Sequence, residues 1–199
     1  MRRVVLATGN PGKLREMRAI LADHHLEVVA QSELGIEPPV EDGDSFAANA
    51  LIKARHAAAA AGLPAIADDS GLEVDALGGR PGLHSARYAG PRSDDHANNA
   101  RLLAELADVP AEGRGARYHC AMAFVRHADD PAPVIAEAAW PGSIGFEARG
   151  EGGFGYDPYF IVAGDVRTAA EMSAEEKNRV SHRGQALAAL AARMRAAGW

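Results

Sequence analysis

At 199 residues, 47% of them apolar, the chain is long enough for one sizeable α/β domain or two small lobes sharing a core, and too apolar to be disordered. Its formal net charge of −6 argues against a general duplex DNA or RNA binder, which needs a basic face, but leaves room for a small phosphorylated ligand held by a few placed cations. The single cysteine, Cys120, excludes an intrachain disulfide and reads as a small core residue, and no apolar run approaches the ~20 residues of a membrane span. Met1-Arg2-Arg3 precedes only a short apolar run, so no signal peptide is expected and the default location is the cytoplasm.

Residues 3–8 read as a buried first strand. Gly9-Asn10-Pro11-Gly12-Lys13 follows, and Leu14, Met17, Ile20 and Leu21 fall at helical spacing, which predicts a helix over about 11–23. Strand, glycine turn and helix N-terminus can present backbone N–H groups to an anion. Pro11 suits the first helical position, but Lys13 there opposes the helix dipole, a local conflict that hints at function. The segment is not a Walker A loop, because Leu14 stands where Ser or Thr would bind magnesium. A second strand is expected at 26–30 and a loop at 31–43. In that loop Asp42 and Asp44 read as solvated, Asp44 or Ser45 as a helix N-cap, and Glu41 stays open as a metal ligand. Residues 45–61 are helical by propensity, capped by Gly62. Asn49 and Lys53 share a face of that helix, turned to a phosphate or, on the residues alone, more simply to water.

Pro64 to Ala67 read as a buried strand arriving at a turn made of Asp68, Asp69, Ser70 and Gly71. Alternation sends Asp68 and Asp69 to opposite faces, and paired acids at a strand end suit a metal or a general base as well as they suit a surface turn. Residues 78–82 form a loop, and Ser93 caps a helix to about Leu106. Residues 115–127 and 134–144 predict an antiparallel hairpin. In residues 152–160 glycines flank Phe154, which suggests either a backbone approaching a flat ligand or a β-turn at the core edge. Ser173 to Glu176 form a capping box opening the helix that carries Lys177. Ser181 starts the last helix, whose first turn holds His182 and Arg183, again against the dipole. The order of elements predicts an α/β fold with a mixed sheet and no clear domain boundary.

Cations and donors (Lys13, Lys53, Lys177, His182, Arg183), hard oxygen ligands (Glu41, Asp68, Asp69), flat rings (Phe154, Tyr156) and short polar groups beside glycines (Thr8, Asn10, Ser70) are together the parts of a nucleoside triphosphate site. Residues Thr8 to Lys13, Ser45-Phe46 with Asn49-Ala50 and Lys53-Ala54, Asp68 to Leu72, Phe154 to Pro158, and Ser181 to Gly184 resemble, in order and over nearly the whole chain, the signature blocks of the noncanonical purine nucleoside triphosphate pyrophosphatases (inosine/xanthosine triphosphatases), bacterial branch. That resemblance implies a single domain over 1–199, a two-lobed α/β fold around a long twisted mixed β-sheet with the active-site cleft between lobes, and a homodimer. It implies hydrolysis of ITP, dITP and XTP to the monophosphate and pyrophosphate, with Mg²⁺. It assigns Thr8, Gly9, Asn10, Pro11, Gly12 and Lys13 to the triphosphate, Lys13 and Lys53 to charge neutralisation, Glu41 and Asp69 to the metal, and Asp69 to proton acceptance. Ser70, Phe154, Gly155, Tyr156, Asp157, Lys177, His182 and Arg183 fall to the nucleotide and its base. Arg183 carries only donors, which suits a 6-oxo purine and opposes the 6-amino group of adenine. The alternatives are a related pyrophosphatase of different base choice, acting on pyrimidine or modified nucleotides, and a nucleotide-binding module that does not hydrolyse.

Overall fold

In a computed structural model, which describes residues 2–22 and 26–199, strand β1 (Arg2–Leu6) leads into helix α1 (Pro11–Leu21). The expected end of that helix, at residue 23, lies outside the described residues. Strand β2 (Leu26–Ala30), helix α2 (Phe46–Ala61) and strand β3 (Ala65–Val74) follow, then helix α3 (Asp95–Glu105) and strands β4 (Gly115–Val125), β5 (Val134–Ile144) and β6 (Phe160–Val162). Helices α4 (Ala174–Val180) and α5 (His182–Ala196) close the chain. The strand order is β2-β1-β3-β4-β5-β6. β1 pairs parallel with both β2 and β3, and β5 pairs antiparallel with β6, so the sheet is mixed, as the element order predicted.

The chain divides into two units, the boundaries falling in β3, β4 and β5 and at the start of α5. In the first unit (1–69, 120–138 and 183–199), side-chain alternation assigns each helix its face. Val4, Leu6 and Ile66 pack with Met17 and Leu21 of α1 and with Leu187 and Leu190 of α5. Val5, Ala7, Ala65 and Ala67, the residues between them, pack with Ala50, Ala54, Ala57 and Ala58 of α2. The second unit (70–119 and 139–182) has its own core of Leu72, Val74, Leu102, Tyr118, Trp140 and Phe160 among others.

Several local expectations shift by a residue or a class. The first strand stops at Leu6, although Ala7 N still donates to Ile66 O (2.8 Å), and the Thr8 hydroxyl beyond it accepts from Asn10 N (3.2 Å). Residues 31–34, expected as loop, form a 3-10 turn. Asp94 rather than Ser93 caps α3, accepting from Ala97 N at 2.8 Å, while the Ser93 hydroxyl donates to Gly90 O. β4 ends at Val125, and the next amide, Arg126 N, is taken by the Asp130 carboxylate (2.9 Å). Ser45 and Gly62 cap α2 as expected, and the Ser173–Glu176 capping box is present. Cys120 is a buried core residue whose thiol burial pushes up to about 12.

Candidate active site

Asp68-Asp69-Ser70-Gly71 do not form a turn: β3 runs unbroken from Ala65 to Val74 through them. Two carboxylates can sit inside a buried strand only if cations meet them on each face, and here they do. On the α1/α5 face, Asp68 Oδ2 receives Lys13 Nζ at 3.0 Å and Arg183 Nε and Nη2 at 3.3 and 3.4 Å. Burial alone would raise the Asp68 carboxyl; Lys13, Arg183 and Lys53 overcome it and hold it well below the usual carboxylate range. Lys13 and Arg183, unfavourable beside helix N-termini, are therefore matched by a negative charge from the strand, and Arg183 also pairs with Glu16 of α1.

On the α2 face, Lys53 Nζ bridges Asp69 Oδ1 (2.9 Å) and Glu41 Oε2 (3.0 Å). Asn49, one turn before Lys53, donates to Asp69 Oδ2 (3.2 Å) and accepts from Gly43 N (2.8 Å), which ties the loop carrying Glu41 to the strand. A Cβ on Gly43 would lie 2.6 Å from Asn49 Oδ1, so the loop needs glycine there. The solvent-facing reading of Asn49 and Lys53 is thus wrong: both are buried, at 3% and 8% exposure, because the alanine helix brings that face onto the sheet. Burial opposes the Lys53 charge, yet Asp69, Asp68 and Glu41 hold its ammonium above the ordinary lysine value. The two aspartates differ in access: the Asp69 side chain is 11% exposed and that of Asp68 is closed.

The βα turn is less open than its sequence suggested. Asn10 caps α1, its Oδ1 accepting from both Gly12 N (2.8 Å) and Lys13 N (3.1 Å), and Pro11 has no N–H to offer. Those first-turn amides are satisfied within the chain, so they are not free donors for an anion, while the helix dipole and the Lys13 charge still favour one. Glu41 and Asp69 fit a hard divalent ion: their oxygens converge on one cation, Lys53 Nζ. Among the described residues no group of three or more His, Cys, Asp or Glu side chains converges as a ready metal-binding cluster.

In the second unit, the Phe154 loop is fixed from several sides. Asp157 accepts from Phe154 N (2.9 Å), from Lys177 Nζ (2.6 Å) and from the Tyr118 hydroxyl (3.1 Å). Asp95 accepts from Gly155 N (2.6 Å), and Asn99 donates to Gly155 O (2.8 Å). Gly153 lies at φ 72°, and a Cβ there would fall on Asp157 Oδ2, so this glycine is required by the loop's own carboxylate. His182 stacks on the Tyr118 ring, 4.6 Å between centroids and 8° from parallel. Lys177 sits over the Phe154 ring, its Nζ 4.9 Å from the centroid. Ser70, the next residue of β3 after Asp69, is half-buried.

Two expected ligand groups take other places. Tyr156 is not a free flat surface: it is 4% exposed, packed in the core, with its hydroxyl donating to Ser85 O at 2.8 Å. Arg183, 2% exposed, is committed to Asp68 and Glu16, so in this conformation it fixes carboxylates rather than reading a base. Glu16, Asp95, Asn99 and Tyr118, which the sequence reading passed over, hold the site groups. Only Asn99, four residues after Asp95 on one helix face, carried any local signal.

The fold and these residues define an α/β protein whose central strand presents one carboxylate locked by cations and a second, more accessible one beside a lysine. A model of the Ham1 family matches residues 4–193. A dITP/XTP pyrophosphatase of Methylococcus capsulatus is 59% identical over 195 residues, covering 98% of this chain and 97% of that protein. One of Yersinia pseudotuberculosis is 58% identical over 187 residues, covering 94% and 95%. Among solved structures, a HAM1 protein from Coxiella burnetii superposes with a TM-score of 0.89 at 45% identity, covering 98% of each chain. The chain belongs to the Ham1 family.

Proposed function

We propose that the protein hydrolyses noncanonical purine nucleoside triphosphates (ITP, dITP and XTP) to the monophosphate and pyrophosphate. Relatives at 55–59% identity named dITP/XTP pyrophosphatase support the substrate class. The observation in this chain that carries the chemistry is the Asp69–Lys53–Glu41 group, a carboxylate held in place by Asn49 yet still accessible. Water attacks the α-phosphorus, Asp69 accepts its proton, the bond to the bridging oxygen breaks, and pyrophosphate leaves. Lys13 and Lys53 offset the charge that grows on the phosphates, preorganised by the carboxylates they already face. A divalent cation, Mg²⁺ in this reading, held by Glu41 and Asp69 would acidify the attacking water and lower the charge of the polyphosphate.

Thr8 to Lys13 serve the triphosphate, and Ser70, Phe154 to Asp157, Lys177 and His182 serve the nucleoside. Phe154 is a half-buried ring with Lys177 Nζ over it, and Asp157 and Tyr156 act by holding its loop. Arg183 acts through Asp68, which it holds together with Lys13. A cytoplasmic homodimer belongs to the same reading; sedimentation tests the dimer. Among the described residues no helix is long and apolar enough to cross a membrane.

The deciding experiment is pyrophosphate release with Mg²⁺ from ITP, XTP, GTP, ATP and dUTP. Release from ITP and XTP in strong preference to the others is expected. Release from a pyrimidine nucleotide instead would retain the catalytic group and discard the base assignment. No release from any would leave a nucleotide-binding module.

A further inference from the structure

None of the residues assigned to turnover lines the cavity of about 390 Å³ in the second unit, whose walls are Arg80, His84, Arg87, Tyr88, Arg101 and neighbours. That volume falls in the range of small-ligand sites. Its charge runs against that of the chain, which is −6 overall. Three arginines line it, and Glu105 meets two of them, Arg80 Nη1 at 2.8 Å and Arg101 Nε at 2.9 Å. Glu105 also accepts from the Tyr88 hydroxyl (2.7 Å), so one negative charge is shared among two arginines and a phenol. The side chains of Arg87 and His84 make no hydrogen bond or ion pair among the described residues, and both are exposed.

The walls are fixed before any ligand arrives. Asn98 accepts from Ala89 N (2.8 Å) and donates to Ala86 O (3.3 Å), the Tyr156 hydroxyl donates to Ser85 O, and the Ser85 hydroxyl bonds Gly82 O (2.6 Å). Arg101 donates to Tyr88 O and lies over the Tyr88 ring, 4.4 Å from its centroid, which orients its planar fork. A rigid concave wall carrying forked donors and unmatched positive charge is suited to a tetrahedral oxyanion, which takes bidentate hydrogen bonds from guanidinium.

We propose that this cavity is an anion-binding site that takes a small phosphorylated ligand, with Arg87 and His84 as its principal free donors and Arg101 and Arg80 as the charged wall. The proposal does not depend on the function argued above. Its source is either free phosphate or the phosphate of a mononucleotide, and the two are told apart by titrating inorganic phosphate and a nucleoside monophosphate separately.

The test is isothermal titration of the full chain, without divalent cation, beside the His84→Ala/Arg87→Ala double variant. The parent is expected to bind one phosphate more per chain than the variant, or to bind it roughly tenfold or more tightly, the loss expected for charge-assisted donors. That difference should shrink as salt screens the arginines. Charge reversal in Arg87→Glu should abolish the same binding event. Because both side chains are exposed and unbonded, an unchanged melting curve is expected for each variant, and ITP turnover should be unaltered. Equal stoichiometry and affinity in parent and variants overturns the proposal. So does a variant that sediments as a smaller species than the parent, since the face would then join two copies of the chain. Absence of ITP turnover in the parent would sink the proposed function and leave this site standing.

Discussion

Replacing Asp68 by asparagine keeps the shape of the side chain and removes one charge from the centre of the first unit. The Asp68 carboxylate is closed to solvent and meets Lys13 Nζ at 3.0 Å and Arg183 Nε at 3.3 Å. Removing one partner of a buried ion pair typically costs ~3–5 kcal/mol, because the remaining charge stays buried and unmatched. Arg183 keeps Glu16, and the Lys13 side chain retains 15% exposure, so the lower end, about 3 kcal/mol, is expected. For a chain of this size that is a fall in Tm of roughly 6–12 °C. The pH dependence is specific. The folded carboxyl is held well below its unfolded value of about 3.9, so it stabilises the protein above that value and the contribution fades as pH falls through the folded pKa. Asparagine does not titrate. Urea melts of parent and Asp68→Asn should therefore differ by the full amount near neutral pH and converge in acid below about pH 4. A variant within about 1 kcal/mol of the parent at neutral pH, or a gap that widens as pH falls, would refute the cation-locked strand.

Asp69→Asn should lower turnover by roughly 10²–10⁴ while nucleotide still binds, and near-normal turnover would remove Asp69 as proton acceptor. Glu41→Gln should raise the Mg²⁺ concentration needed for half-maximal rate, and chelation should stop pyrophosphate release; a rate indifferent to chelator would discard the two-carboxylate metal site. Gly153→Ala places a methyl group on Asp157 Oδ2 at a positive φ, so the Phe154 loop must move. A raised KM for ITP with a smaller change in kcat is expected, and unchanged kinetics would show that the loop's fixed shape does not matter.

Local pattern carried most of the elements, because caps and periodicity act within a few residues. Ser45, Gly62 and Ser173 sit where their short-range hydrogen bonds predicted. The opposite-face placement of Asp68 and Asp69 was also legible, since it follows from strand geometry alone. The turn at those residues was misread for a related reason. Asp, Ser and Gly carry turn propensity, and only charges from α1, α2 and α5 make a buried strand possible there. Asn49 and Lys53 were read as solvated because an alanine helix has no strong polar and apolar halves. Its buried face is settled by what it packs against.

By itself the sequence determined which chemistry is available: two adjacent acids, two lysines near βα and helical segments, an aromatic loop and a final His-Arg pair. Tertiary structure decided which of those groups neutralise one another and which remain for a substrate. Arg183 meets Asp68 across 115 residues of sequence and Glu16 across 167, distances at which no local rule operates. An ion pair depends on the separation of two charges in space and on their removal from water, and those quantities come into being only when the strands and helices pack.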